Sequence, residues 1–288
     1  MDAIQVRHVG KTYDKFRLED ISFRVPEGSI MGLIGENGAG KSTIINCILE
    51  VIEKDEGEIE ILGTPIEQRK LAMREEVGVV FDISDFYDPF TLEQSEKIVK
   101  DMYKNWDTKV FHTYVEKFNL PKRKKIQKFS KGMKMKTSIA IALSHHPRIL
   151  ILDEPTSGLD PIMRDEILDI FLDFVQDEHH AILLSSHIST DLEKVADYIT
   201  FIHDGKLILS SSKDELLNQY GIMKCRNDEL DKIEPEDIIH VRKQPYAVEI
   251  LVKDRELATR KYPKCIVDPA SLDDIMMLYV KGEAPCWD

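Results

Sequence analysis

Short apolar runs alternate with helically spaced segments over roughly the first two thirds of the chain. Continuous apolar runs bounded by turn residues are typical of strands that are buried on both faces of a sheet. The runs cover residues 30–34, 77–81, 149–153, 181–186 and 198–202. Because strands that alternate with helices form mostly parallel sheets, the pattern predicts an α/β fold with functional residues at the carboxyl ends of its strands.

Two other periodicities complete this part of the chain. Residues 4–9, 18–25 and 58–63 have the length and composition of short strands, and the last of these alternates polar and apolar positions. Between residues 91 and 118, apolar side chains recur every three or four positions, which predicts one or two helices. These side chains are Ile98, Met102, Trp106, Val110, Phe111, Tyr114 and Phe118.

The pattern changes near residue 220. Short strands are predicted at residues 238–241, 247–252 and 265–267. Residues 271–281 favour a closing helix, and Ser271 with Asp274 has the spacing of an N-terminal cap for it. We therefore expect a first domain over residues 1–220 and a small α+β appendage over residues 221–288.

The composition of the 288 residues is that of an ordinary globular protein, with 42% hydrophobic and 32% charged residues. A net charge of −13 argues against non-specific binding to nucleic acid. No apolar run approaches the ~18–20 residues of a membrane span, and the first residues do not have the pattern of a signal peptide. Cys47, Cys225, Cys265 and Cys286 lack metal-site spacing, which indicates free thiols in a reducing cytoplasm.

One segment is strongly basic, although the chain as a whole is acidic. Residues 122–136 contain eight lysines and arginines and no acidic residue. A solvated helix face explains such a run, and so does a surface that meets the phosphate groups of a ligand or of membrane headgroups. The position of Lys131 beside a motif described below favours a phosphate for that residue.

A glycine-rich loop follows the first buried strand and precedes a helical segment. Residues 35–43 read Gly-Glu-Asn-Gly-Ala-Gly-Lys-Ser-Thr, which fits the pattern G-x₄-G-K-[ST]. Glycines allow a tight turn that points N–H groups at phosphate oxygens, and the helix N-terminus adds its positive dipole end. Lys41 is placed to reach the β- and γ-phosphates, and Ser42 to ligate Mg²⁺. The candidate nucleotide-binding residues here are Gly35, Asn37, Gly38, Ala39, Gly40, Lys41, Ser42 and Thr43.

Polar residues also end two later strands. Asp153 is suited to hold Mg²⁺, and Glu154 to orient and deprotonate an attacking water. His187 follows the strand at residues 181–186 and is a candidate contact of the γ-phosphate. The histidine pairs 145–146 and 179–180 point to different sides of a helix, so we expect surface or loop positions for them rather than a metal site.

This order of motifs resembles the ATP-binding subunits of ABC transporters, and the resemblance extends from residue 4 to about residue 215. Residues 35–43 are similar to the Walker A motif, residues 149–153 to Walker B and residues 157–160 to the D-loop. Glu154 resembles the catalytic glutamate and His187 the switch histidine. The resemblance implies a P-loop ATPase fold with a helical lobe at about residues 83–145, and hydrolysis of ATP with Mg²⁺.

The same resemblance implies a site that is shared between two copies of the chain. Ser130 and Gly132 are similar to the signature motif, which binds the γ-phosphate held by the opposite protomer, and Asp160 lies in the D-loop. Tyr13 stands where the family has an aromatic residue that stacks on adenine. We therefore expect a head-to-tail homodimer with two ATP molecules at the interface.

Two positions depart from the usual family pattern. Lys131 and Met133 give the signature the sequence Ser-Lys-Gly-Met, which resembles the ABC-2 type exporters related to bacitracin resistance and peptide-toxin export. Lys131 is then a candidate cation aimed at the γ-phosphate across the dimer. Asp82 replaces the loop glutamine that contacts Mg²⁺ and the membrane partner, and a carboxylate there is able to reach the metal through water.

The resemblance further implies a transmembrane permease encoded separately, with this chain at the cytoplasmic face of the membrane. Residues 82–120 would receive the permease. Phe86, Tyr87, Phe90 and Trp106 are candidate anchors, although the same aromatic residues equally suit the core of the lobe. Because the permease selects the substrate, peptides and amphipathic drugs are expectations from the family alone.

Two other functions fit the sequence less well. One is a soluble ABC-type ATPase in cofactor assembly or DNA repair without a membrane partner, and the absence of a long coiled-coil insertion disfavours the repair role. The other is a non-enzymatic nucleotide-gated binding module, which a phosphate-release assay would separate from an ATPase.

Overall fold

The computed structural model describes residues 1–68, 70–81, 88–244 and 247–283. The strands are β1 (Asp2–Tyr13), β2 (Phe16–Pro26), β3 (Ile30–Ile34), β4 (Glu56–Ile61), β5 (Thr64–Pro65), β6 (Val77–Val80), β7 (Ile149–Asp153), β8 (Ala181–Ser186), β9 (Tyr198–His203), β10 (Lys206–Ser212), β11 (Gly221–Cys225), β12 (His240–Lys243), β13 (Val248–Val252) and β14 (Ile266–Pro269). The helices are α1 (Lys41–Ile48), α2 (Lys70–Glu76), α3 (Leu92–Val99), α4 (Thr108–Lys117), α5 (Lys131–Leu143), α6 (Pro161–Phe174), α7 (Ser189–Val195), α8 (Lys213–Gln219), α9 (Arg255–Lys261) and α10 (Leu272–Lys281). No helix among these residues has the length and apolar character needed to cross a bilayer.

The larger sheet of the described chain has two halves. Its ten strands run in the order β5-β4-β1-β2-β10-β9-β3-β8-β7-β6. Strands β9, β3, β8, β7 and β6 are parallel, as predicted, whereas β5, β4, β1 and β2 pair in antiparallel fashion. The difference follows from burial, because β3 and β7 are buried at every position whereas β2 alternates buried and exposed residues.

Both faces of the parallel half are covered. Ile30 and Ile34 of β3 belong to one apolar cluster, and the intervening Met31 and Leu33 belong to a second cluster. This alternation is the two-residue period of a strand packed on both sides. It fixes β3, and therefore the loop that follows it, at the centre of the sheet.

The periodicity between residues 91 and 118 produces two helices. Thr91 and Gln94 form a capping box at the start of α3, and the Asp107 carboxylate accepts from the N–H groups of Lys109 and Val110 at the start of α4. Trp106 lies just before α4, with its ring 5.5 Å from that of the fully buried Phe111.

The end of the chain forms a second sheet, ordered β12-β13-β11-β14 in the described residues. It has its own small apolar cluster around Met223, Val248 and Ile250. Helix α10 begins with the predicted cap, in which Ser271 Oγ accepts from Asp274 N at 3.2 Å. The buried residues of α10 join the larger cluster of the first sheet, so the two parts share one core.

Candidate functional site

The loop between β3 and α1 requires glycine for different reasons at different positions. A Cβ at Gly35 would lie 2.3 Å from the backbone oxygen of Ile202, so no side chain fits there. Gly40 has φ of 114°, and a Cβ there would meet Leu18 at 2.6 Å. Gly38 has φ of 86° with open space around it. The loop therefore packs tightly at both ends and is open in the middle, where a ligand has room to approach.

Lys41 begins α1, and its side chain is held inside the loop. Its Nζ donates to the backbone oxygens of Gly35 at 2.7 Å and Glu36 at 3.3 Å. No side chain among the described residues caps the start of α1, which leaves the first N–H groups of the helix free for an anion. The hydroxyl-bearing Ser42 is exposed next to them.

Two carboxylates follow one another at the end of β7. Asp153 is buried, and its Oδ1 accepts from Ser185 Oγ at 2.5 Å. Glu154 has φ of 52°, a left-handed conformation that costs about 1–3 kcal/mol for a residue with a side chain. The Glu154 N–H donates to Ser185 Oγ at 3.1 Å, and the Glu154 nitrogen also lies 3.2 Å from the backbone oxygen of Ser185. Ser185 thus holds both acidic residues in place.

The role of Ser185 was not predicted from the sequence. The available signal was the pair of serines that ends an otherwise apolar strand. A hydroxyl at the end of a buried strand needs a partner, and the neighbouring parallel strand β7 supplies one in register, since Asp153 pairs with Ser185.

The Glu154 side chain contacts two other predicted site residues. Its Oε2 lies 2.6 Å from Nδ1 of His187. Its buried Oε1 lies 3.2 Å from Nζ of Lys41, an ion pair that lacks hydrogen-bond alignment. The structure therefore brings Lys41, Glu154 and His187 together at the carboxyl ends of β3, β7 and β8, where a parallel sheet places ligands.

Ser130, Lys131 and Gly132 form a second group around the start of α5. Ser130 Oγ caps the helix by accepting from Met133 N at 3.2 Å. A Cβ at Gly132 would lie 1.7 Å from Met163 Sδ, so α5 packs closely on α6. The Lys131 side chain lies over Gly158, with Nζ 3.5 Å from the position of a Cβ on that glycine.

Asp160 completes this second group as the cap of α6, because its carboxylate accepts from Met163 N at 3.0 Å. Tyr13 ends β1 and is 44% exposed, with Lys11 Nζ 5.8 Å from its ring centre. Its face is therefore accessible to a flat ligand. Asp82, Phe86 and Tyr87 lie outside the described residues.

The histidine pairs lie in turns or loops, as expected, but one of these side chains is not at the surface. His145 is fully buried rather than on the surface, with its ring stacked 4.0 Å from that of Tyr103. Its Nε2 lies 3.3 Å from the backbone oxygen of Val77, and burial lowers its pKa. His146 and His179 are exposed, as expected.

The residues of the glycine loop, the start of α1 and the end of β7 fit a nucleotide phosphate and its metal ion. A buried ammonium, an uncapped helix start and an open glycine are arranged to take an anion. The carboxylate of Asp153 and the hydroxyl of Ser42 are hard oxygen ligands of the kind that Mg²⁺ prefers. The fold and this site define a P-loop nucleotide-binding protein.

Comparisons with known proteins narrow that class. The family model described as ABC transporter matches residues 18–157. The chain is 35% identical over 232 residues to the lantibiotic transport ATP-binding protein SrtF of Streptococcus pyogenes, covering 77% of this chain and 99% of that protein. It is 34% identical over 203 residues to the bacitracin transport ATP-binding protein BcrA of Bacillus licheniformis, covering 69% of this chain and 66% of that protein.

A solved structure agrees with these relatives. The ATP-binding subunit of an ABC transporter superposes with a TM-score of 0.68 at 28% identity, covering 74% of this chain and 91% of that one. The chain belongs to the family of ABC transporter ATP-binding proteins. It is accordingly an ATP-binding, ATP-hydrolysing chain with the predicted α/β fold.

Proposed function

We propose that this ATPase powers the export of peptides or amphipathic drugs through a separate membrane-spanning permease. The contact of Glu154 with both Lys41 and His187 carries the proposal, because it assembles the phosphate-binding cation and the candidate base in one pocket. The names of the relatives supply the substrate class, since one transports a lantibiotic and another bacitracin. These transport relatives do not favour a soluble ATPase in cofactor assembly or DNA repair.

Each side chain of the pocket has a proposed task. Lys41 and the N–H groups at the start of α1 neutralise the charge that develops on the transferred phosphoryl group. Glu154 accepts a proton from the attacking water, and His187 contacts the γ-phosphate. Asp153 and Ser42 would hold Mg²⁺, which neutralises charge on the β- and γ-phosphates. Tyr13 stacks on adenine, and Asp82 is proposed to reach the metal through water.

The second group of residues is proposed to act on the nucleotide of a partner copy. Ser130, Lys131 and Gly132 stand at the start of α5, where the N-terminus of a helix favours an anion. A head-to-tail homodimer would bring this helix start, and Asp160, to the phosphates held by residues 35–43 of the other copy. Binding of ATP then favours the closed dimer, and hydrolysis releases it.

We propose two domains, residues 1–220 for ATP hydrolysis with a helical lobe at about residues 83–145, and residues 221–288 as an accessory domain. The permease would dock on the lobe from the cytoplasmic face of the membrane. Phe90 is half-buried and remains a candidate anchor, whereas Trp106 packs against the core of the lobe, which favours a structural role for it.

Co-expression with a neighbouring membrane-protein gene tests this function. The expected result is a complex that hydrolyses ATP and protects cells from a peptide antibiotic. The Glu154→Gln variant should form the same complex without protection. An active ATPase that never associates with a membrane protein would contradict the export function while leaving ATP hydrolysis intact.

A further inference from the structure

The basic segment at residues 122–136 divides into two sets of side chains. Three of its eight cations are neutralised within the fold. Lys122 pairs with Glu116 at 3.1 Å, Lys134 with Asp88 at 2.7 Å and Lys136 with Glu166 at 2.5 Å. A fourth, Lys131, lies over Gly158. These four are explained by the fold and by the site already described.

The other four are Arg123, Lys124, Lys125 and Lys128, which we call the cationic loop. All four are exposed. In the described part of the chain, none of them forms an ion pair or a side-chain hydrogen bond with a carboxylate. Four positive charges without an acidic partner among the described residues therefore stand within a stretch of six residues, in a chain whose net charge is −13.

The cationic loop has a fixed position on the lobe. Ile126, in its middle, is buried, and its N–H donates to the Phe90 oxygen at 2.9 Å. The N–H of Gln127 donates to the Asp88 oxygen at 3.0 Å. Because Ile126 is buried and its backbone is held, the cations on either side of it remain exposed on the surface of the lobe. This anchor also places them beside residues 88–90, near the start of the segment at residues 82–120 that is proposed to receive the permease.

The chemistry of the cationic loop suits a polyanionic surface. Unpaired like charges repel one another, and a nearby surface of negative charge would relieve this repulsion. Nucleic acid is disfavoured by the overall acidic charge and by the lack of exposed aromatic residues among the four cations. A membrane with anionic lipids presents many negative charges in one plane, within reach of long flexible side chains.

We propose that the cationic loop binds the anionic headgroups of the membrane beside the permease. The proposal rests on the proposed work at a membrane, but it needs no contact with the permease itself. The loop would add a second attachment to the permease dock and hold the lobe close to the bilayer. Each cation near such a surface contributes roughly fivefold in binding.

Vesicle binding by the purified chain tests the proposal without any permease. We expect the chain to sediment with vesicles of phosphatidylcholine containing about a third phosphatidylglycerol, and not with phosphatidylcholine alone. Binding should disappear at about 0.5 M salt, where the Debye length falls well below 10 Å. The fourfold variant Arg123→Gln, Lys124→Gln, Lys125→Gln and Lys128→Gln should bind roughly 500-fold more weakly.

A matched variant controls for net charge. Lys109→Gln, Lys232→Gln, Lys253→Gln and Lys264→Gln remove four exposed cations elsewhere and should leave vesicle binding within about threefold. ATP hydrolysis without membranes should be unchanged in both variants, which shows that they are folded. Equal loss of binding in both variants would overturn the proposal. Failure of the unmodified chain to bind vesicles while it keeps normal ATPase activity would also overturn the proposal. If the fourfold variant in that case no longer associated with the permease, the cationic loop would bind an acidic protein surface instead.

Discussion

The Glu154 carboxylate and the Lys41 ammonium form an ion pair at 3.2 Å, with both side chains largely buried. The two groups proposed to act on the attacking water and on the phosphate therefore neutralise each other. Under the proposed roles, an incoming phosphate would take the Lys41 ammonium from Glu154, and this exchange would free the carboxylate to meet a water. Nucleotide binding and preparation of the base are thus linked through one contact.

The Glu154→Gln variant should show this link directly. Loss of the base should lower ATP turnover by roughly 100–10,000-fold. Because a neutral amide competes less with phosphate for Lys41, ATP binding should be retained or tightened, and an ATP-bound dimer should accumulate on size-exclusion chromatography. The control is Glu178→Gln, which removes an acid that is 89% exposed. Near-normal turnover in Glu154→Gln would overturn the assignment.

The two glycines Gly35 and Gly38 should respond differently to substitution. Gly35→Ala forces a Cβ against the Ile202 oxygen and should lower the free energy of unfolding by about 3 kcal/mol or more. Gly38→Ala meets open space and should cost only about 1–2 kcal/mol for its left-handed backbone. Urea unfolding without nucleotide measures both, and Gly38→Asn should recover part of the loss, since asparagine tolerates that conformation. Equal effects at the two positions would contradict the packing described here.

Lys131 should matter for catalysis if it meets a phosphate across the dimer. Loss of a hydrogen bond to a charged group predicts a fall in kcat/KM for ATP of roughly 10–100-fold in Lys131→Ala. Lys128→Ala removes a nearby cation outside this contact and should be near normal in the absence of membranes. Unchanged kinetics in Lys131→Ala would restrict this side chain to its packing on Gly158.

His145 should make the stability of the fold depend on pH. Burial lowers its pKa below the ordinary value of 6.5, against the opposing effect of the Val77 and Ile141 carbonyls. As the pH falls below 6.5, the unfolded chain binds a proton that the folded chain does not. The contribution of His145 to the free energy of unfolding is therefore fully present above pH 6.5. It is lost as the pH falls toward the pKa that His145 has in the folded chain.

Urea titrations at about pH 7.5 and 5.5 measure this loss, and the His145→Gln variant should show a smaller decrease between the two conditions. An equal decrease in the variant would assign the pH dependence to other groups.

Much of the fold could be predicted because the parallel strands are buried on both faces. A run such as residues 149–152 has no polar interruption, so its position follows from composition alone. The glycine loop and the acidic pair after β7 were recognised because their chemistry is concentrated in a few adjacent residues. Elements with less burial were missed. Helix α9 buries only Ala258 among its described residues, and it has no apolar stripe to reveal it.

Features that depend on distant parts of the chain were also missed. Ser185 acquires its role from the register between β7 and β8, and that register is not visible in either strand alone. His145 is buried because Tyr103, more than forty positions earlier in the sequence, stacks on it. Local patterns carry no information about such pairings, so the burial of His145 within its loop could not be predicted.

The shared core of α10 affects how the chain can be shortened. The N–H of Leu272, the first residue of α10, donates to Glu193 Oε1 of α7 at 2.9 Å, and Tyr279 meets Phe201 with ring centres 6.3 Å apart. A truncation after residue 220 would uncover this apolar surface. Such a fragment is expected to aggregate unless the exposed positions are replaced with polar residues, so a soluble minimal ATPase has to be redesigned rather than simply excised.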